Sequence, residues 1–337
     1  MKPSGTWLDE CIEFLREYGF VAILMSVIVI FSVISKTFLS LTNILGLLHT
    51  SVPLIIVAAG LALVVMTGKL DISIGSASFL SGAVGAILMT RLHVSPAIGL
   101  PVVIATGALC GTVNGVLCVY LRVNPLITTM GSMFVFRGMA LQLTGSRAIS
   151  VSQGLRDFGN YRIGPVFVDI LIAGFFLLLI HTLHTRTAFG RRVMAIGTNA
   201  ETASKLGVRV REVSLVTFVI SGLCAGIGGL FSVFQIGAVT NQMGSGLEFT
   251  AIAAIVIGGI SLFGGDGAIL PNYLLGVLTL GIIENGLNHI GASPYLYPFV
   301  RGGIILVAMY ADSLKRSRKR LAAASSMASQ ESMTSAR

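Results

Sequence analysis

The chain has 337 residues, 23 Lys and Arg against 14 Asp and Glu for a net charge of +9, 54% hydrophobic side chains and only 11% charged ones; a soluble domain carries about 25% charged residues. That balance excludes an ordinary water-soluble globule, and 40 Gly, 9 Pro and 4 Cys fit no collagen-like, disordered or disulfide-stapled chain. A polytopic all-α membrane protein remains, with a mean hydropathy of +0.88.

Residues 1–18 carry Asp9, Glu10, Glu13 and Glu17. They read as an amphipathic cytoplasmic lead-in and not as a cleaved secretory signal, which has a basic start and a small-residue cleavage site. Crossing the hydrocarbon core takes about 20 mostly apolar residues. Apolar runs predict ten transmembrane helices, the first five near 19–35, 51–68, 72–90, 97–121 and 123–144. The second five fall near 164–183, 213–236, 249–264, 268–290 and 295–311, so that 19–311 forms one transmembrane domain. Residues 312–337 form a basic tail that ends in an Ala-, Ser- and Met-rich stretch and reads as disordered.

Basic residues set the orientation. Twelve of the 23 Lys and Arg fall in the 185–212 loop (Arg186, Arg191, Arg192, Lys205, Arg209, Arg211) and the tail (Lys315, Arg316, Arg318, Lys319, Arg320, Arg337). Both segments are expected in the cytoplasm, which accounts for the positive charge without nucleic acid. Six predicted helices precede the loop and four follow it, so both termini are expected inside. Arg147, Arg156 and Arg162 then fall in an external loop, either as a surface for an external partner or as solvated loop.

An internal echo links the two halves. Asn114-Gly115, Pro125 and Arg137-Gly138 in helices four and five match Asn285-Gly286, Pro294 and Arg301-Gly302 in helices nine and ten. Five helices separate the copies, as in a five-plus-five inverted repeat. Gly107, Gly111 and Gly115 recur every four residues, as do Gly222 and Gly226, and such faces let helix backbones approach closely in lipid. They serve either static packing or a sliding interface.

Catalytic and metal signatures are missing from the sequence: it has no HExxH, no GxSxG and no GxxxxGK[ST]. No catalytic residue, metal or cofactor is therefore assigned, and any ATP must be bound by another subunit. Cys11, Cys110, Cys118 and Cys224 form no CxxC pair and read as small packing residues. His181 and His184 share a helix face but lack a carboxylate partner, which favours an interfacial role. Glu284 is the candidate titrating carboxylate for an alternative class, a proton-coupled secondary carrier.

The 185–212 loop encodes its own structure. Thr198-Asn199-Ala200-Glu201 fits a capping box, Ala200 to Leu206 suits a two-turn helix, and Gly207 fits the left-handed position after it. Two turns are unstable alone in water. The small face of Ala200, Ala203 and Ser204 suits docking into a groove; the other reading is a helix lying on anionic lipid.

Several motifs recur in one order: Leu70-Asp71-Ile72-Ser73-Ile74-Gly75, Asn114-Gly115 with Asn124-Pro125, Thr187-x-Phe189-Gly190-Arg191 leading to Ala195-Ile196-Gly197-x-Asn199, Gly246-x-Glu248, the stretch 251–268, and Asn285-Gly286-Leu287-Asn288. Through them the chain, from about residue 20 to 311, resembles the permease subunits of bacterial ribose-type ABC importers, which take up simple sugars and, in one branch, autoinducer-2. The resemblance implies an inner-membrane permease paired with a second permease subunit, a cytoplasmic ATP-binding subunit and a periplasmic sugar-binding protein. It also implies a coupling helix in the loop, with Gly190, Arg191, Asn199, Glu201, Ala203 and Gly207 facing the ATPase. The chain departs from the family pattern at Lys69, Pro271-Asn272 and Glu284.

On this reading Asp71, in a hydrated turn, caps the third helix, with gating as the other role. Arg137 and Arg301 face the bundle interior and pair with Glu248, Glu284 or helix carbonyls. Asn114, Gln142, Glu248, Asn285 and Asn288 line the translocation path.

Overall fold

The computed structural model describes residues 24–310 apart from 294, 305, 308 and 309. The lead-in 1–18, the tail 312–337, Cys11 and Pro294 lie outside the described residues. In chain order the helices are α1 (Leu24–Ile34), α2 (Leu41–Met66), α3 (Ile74–Ala86), α4 (Pro96–Gly115), α5 (Pro125–Thr144) and the short α6 (Gln153–Gly159). They continue with α7 (Val168–Arg186), α8 (Ala188–Thr198), α9 (Ala200–Lys205), α10 (Val210–Ile236), α11 (Leu247–Ile257) and α12 (Leu274–His289). A further helical run begins at residue 296. Sheet is limited to two small antiparallel pairs: β1 (Ile149–Ser150) with β4 (Ala238–Val239), and β2 (Arg162–Ile163) with β3 (Val166–Phe167).

Helix dominates because lipid offers a backbone N–H or C=O no partner outside the chain. Six helices, counted among the described residues, are long and apolar enough to cross a membrane: α2, α3 with its extension to Arg91, α4 with its extension to Tyr120, α5, α7 and α10. Each of the ten predicted stretches contains helix, with shifted ends. The second begins ten residues early, at Leu41, where the Ser40 hydroxyl accepts the Asn43 N–H. The predicted span 249–264 is corrected: α11 stops at Ile257, because Gly259, Gly264, Gly265 and Gly267 adopt positive φ and turn the chain into a loop.

Four helices, α2, α3, α4 and α10, make the core. The predicted glycine faces meet each other: a Cβ on Gly107 would strike the Gly222 carbonyl and Gly226, and one on Gly111 would strike the Phe218 carbonyl. On the other sides of α10, Gly60 of α2 packs against Cys224, and the Ser78 hydroxyl of α3 donates to the Ala225 carbonyl at 2.8 Å. Cys110, Cys118 and Cys224 are free and buried within this packing.

Two local devices went unread in the sequence. α3 and α4 each end in a five-residue π-turn, Ile87–Arg91 and Val116–Tyr120. Each is followed by a non-glycine residue at positive φ, His93 or Arg122, and by a proline that opens the next helix. The underlying sequences, Leu92-His93-Val94-Ser95-Pro96 and Leu121-Arg122-Val123-Asn124-Pro125, are one hairpin used twice. Within α2, Pro53 has no N–H to give the His49 carbonyl four residues back. Gln235 Nε2 of α10 supplies that donor at 2.7 Å, and it also donates to Asp169 Oδ2 of α7 at 2.7 Å.

Candidate functional site

Two helices of the bundle begin inside it, each after a non-helical approach. Residues 67–73 lead from the end of α2 to α3, and residues 237–246 lead from the end of α10 to α11.

The first approach carries Asp71, which lies beside Ser221 near the middle of α10 and is 1% exposed. Its Oδ1 accepts the Ser73 N–H at 3.0 Å and hydroxyl at 2.7 Å, and the Asn114 Nδ2 at 3.3 Å. Its Oδ2 accepts the Ser221 hydroxyl at 3.4 Å. Asn114 is fully buried and also donates to Ser73 Oγ at 2.7 Å, while Lys69 Nζ donates to Ser214 Oγ at 3.2 Å. The expectation of a hydrated Asp71 is therefore corrected: four side-chain and backbone donors replace water. Asn114, predicted to line a path, is instead enclosed in this cluster.

The second approach carries Glu248, 6% exposed in the first turn of α11. Its Oε2 lies against Gly75, where a Cβ would overlap it, and the Gly75 and Gly244 backbones touch directly. Arg137 of α5 clamps this segment by donating to the Asn241 and Met243 carbonyls at 3.1 Å each, with its guanidinium 5.3 Å from the Phe79 ring centroid. Its partners are thus loop carbonyls and not helix carbonyls. The two approaches share a signature: Leu70-Asp71-Ile72-Ser73 and Leu247-Glu248-Phe249-Thr250. Leu-acid-apolar-hydroxyl at the start of two interrupted helices is a repeat that becomes recognisable once the fold sets the two segments against each other.

A third cluster ties α2 to α12. Asn43 and Asn285 exchange amide hydrogen bonds at 2.8 and 3.0 Å, and His289 contacts Asn43 Oδ1 and Ser35 Oγ, both at 3.1 Å. Beside it Arg301 Nε and Glu284 Oε1 form an ion pair at 2.6 Å, one of the pairings expected for Arg301. Gln142 and Asn288 are exposed. Of the predicted path residues, Asn114 thus joins the Asp71 cluster, Glu248 lies against Gly75 and Asn285 joins the Asn43 cluster.

In the 185–212 loop the structure adds a helix, α8, whose Thr187 cap accepts the Gly190 N–H at 3.4 Å. Gly190 has no side chain because the His184 carbonyl fills that space. α9 forms as predicted and Gly207 takes φ +83°. Its cap is Asn199, which accepts the Thr202 N–H at 2.9 Å; Thr198 instead donates its hydroxyl to the Met194 carbonyl. Ala203, expected on a docking face, is 2% exposed and turned into its own chain, whereas Leu206 is 80% exposed. Arg191 is exposed, and Glu201 and Lys205 pair at 2.8 Å on the surface. An open cleft of about 590 Å³ beside α9 is lined by Glu201, Ser204, Arg209, Arg211 and Glu212. Of the three arginines expected in an external loop, Arg156 packs on Gly237 and Arg162 lies over the Phe167 ring at 3.9 Å. Among the described residues no group of three or more His, Cys, Asp or Glu side chains is placed to hold a metal.

A bundle of apolar helices, two of them interrupted around buried acids, with a structured basic loop at one end, defines a multi-pass membrane transport component. Residues 43–309 match the family described as branched-chain amino acid transport system / permease component, and the chain belongs to that family. It is similar to the galactose/methyl galactoside import permease protein MglC of Salmonella typhimurium strain LT2, 34% identical over 331 residues that cover 92% of this chain and 97% of that protein. It is also similar to the ribose import permease protein RbsC of Escherichia coli K12, 32% identical over 311 residues (90% and 95%), and to the D-allose transport system permease protein AlsC of the same strain, 35% identical over 307 residues (89% and 93%). No solved structure matches the chain significantly. The protein is a multi-pass permease of the bacterial inner membrane and not an enzyme.

Proposed function

We propose that this permease carries a monosaccharide across the inner membrane as part of a binding-protein-dependent ABC importer. A periplasmic protein delivers the sugar, a second permease subunit completes the pore, and a cytoplasmic ATPase drives the cycle from the α8–α9 face. The substrates of the similar galactose, ribose and allose permeases support the substrate class. The direct contact of the two interrupted segments at Gly75 and Gly244 carries the mechanism.

On this reading the chain crosses the membrane ten times with both termini in the cytoplasm, and its halves are inverted repeats. α11 is 11 residues long, or about 16 Å at 1.5 Å per residue, so it spans only half of a core about 30 Å thick. Interrupted helices that meet within a bundle are the usual home of a transport gate. Here Asp71 and Glu248 are equivalent acids, each stabilised at the start of its own half-helix. Separation of Gly75 from Gly244 opens the path, and Arg137 sets the resting position of the outer segment. A conduit loaded by a separate binding protein needs little sugar affinity itself.

Co-purification with candidate ATPase subunits, followed by ATPase assays with binding proteins loaded with galactose, ribose or allose, tests the assignment. Stimulation by one loaded protein is expected. Failure of every ATPase to associate would refute it.

A further inference from the structure

At the loop end of the bundle three stretches of backbone that are distant in sequence touch with no side chain between them. The Gly265 N–H donates to the carbonyl of Met66, the last residue of α2, at 3.0 Å. A Cβ on Gly197, in the last turn of α8, would strike both the Met66 carbonyl and the Gly265 nitrogen. One on Gly264 would lie 2.6 Å from the Gly68 nitrogen and 3.0 Å from the Gly197 Cα, and one on Gly265 would lie 2.7 Å from the Thr198 nitrogen. Gly68, Gly264 and Gly265 all hold positive φ, at +76°, +83° and +72°, a conformation that other residues rarely adopt.

Two of the three stretches in this junction each lead to one interrupted segment. Met66 and Gly68 open the approach that carries Asp71 to α3. Gly264 and Gly265 close the loop that trails α11, whose first turn carries Glu248. Val193 and Ile196, 0% and 2% exposed, hold α8 to the bundle, so its last turn cannot shift without moving both neighbours. Side-chain contacts absorb small displacements by changing rotamer; backbone in contact with backbone has no such freedom, and close-packed interfaces switch between discrete arrangements.

We infer that the last turn of α8, at Gly197 and Thr198, transmits movement of the cytoplasmic loop to both interrupted segments at once, with Gly68, Gly197, Gly264 and Gly265 as positioning residues. The exposed α9 and Leu206 bind the ATPase, and α8 passes the motion on. Binding and transmission are then separable. This inference rests on the reading of the loop as the ATPase-facing surface.

The complex of permease, ATPase and binding protein in proteoliposomes tests it. Gly197→Ala is expected to keep co-purification with the ATPase and basal hydrolysis, and to lower uptake of radiolabelled sugar and hydrolysis stimulated by the loaded binding protein about ten-fold or more. Wild-type uptake in Gly197→Ala, or loss of ATPase association from an inserted and thermally stable chain, would overturn the inference. Should Gly197→Ala fail to insert, spin labels at Thr198→Cys and Phe263→Cys, with Cys11→Ser, decide instead. Their separation is expected to be the same in the nucleotide-free and ATP–vanadate states, and a change would show that the junction does not move as a unit. The underlying reading has its own test: Leu206→Asp is expected to abolish ATPase association, and if association and uptake survive, that reading fails whatever Gly197→Ala does.

Discussion

Asp71 sits where an isolated carboxylate would be expensive, and what keeps it there is a set of donors fixed by the fold: the Ser73 N–H and hydroxyl, the Asn114 amide and the Ser221 hydroxyl. A buried polar group stripped of its partner costs about 1–3 kcal/mol. Asp71→Ala orphans several such groups at once and should lower the melting temperature of the detergent-solubilised permease markedly. Asp71→Asn keeps an acceptor oxygen and should cost less; equal losses would mean that the cluster does not depend on acceptance at this position. Asp71 was legible in the sequence as an important acid before a helix. Its burial was not, because Asn114 and Ser221 lie 43 and 150 residues away, and no local pattern announces that they converge. The Arg301–Glu284 pair, 17 residues apart on consecutive elements, was one of the alternatives that the sequence left open.

At the scale of elements, α2 illustrates how a membrane helix tolerates proline. Pro53 removes one N–H from the ladder, and Gln235 restores the missing hydrogen bond from a neighbouring helix. Gln235→Leu should therefore destabilise the bundle by about 1–3 kcal/mol. Pro53→Ala, which returns the N–H to the His49 carbonyl, should recover part of that loss in the double mutant and leave the part due to Asp169. No recovery, measured by thermal unfolding, would remove this account of the Gln235 contact. The glycine faces of α4 and α10 are the matching case in packing. Their four-residue spacing was visible in the sequence as a helix surface without side chains, and the structure seats Gly111 on Phe218 and Gly107 on Gly222 and Gly226. Gly111→Leu has no free volume to enter and should cost about 1–3 kcal/mol, seen as a lower yield of folded protein by size exclusion.

For the whole molecule, the proposed division of labour makes a direct statement about energy. The permease holds no nucleotide-binding motif, so the purified chain alone in vesicles should not concentrate sugar, and accumulation should appear only with the ATPase, ATP and a loaded binding protein. Uphill uptake by the chain alone would contradict the importer reading. Membrane class, the approximate places of the long apolar helices and the contacting glycine faces were readable from the sequence, because apolar run length and residue spacing are properties of neighbours along the chain. The early stop of α11, the partners of Arg137, the inward turn of Ala203 and the contacts at Gly75–Gly244 and Gly197–Gly265 emerged only from the folded chain. Each depends on which remote backbones arrive side by side, and a glycine, having no side chain, carries no local mark of the partner it will meet.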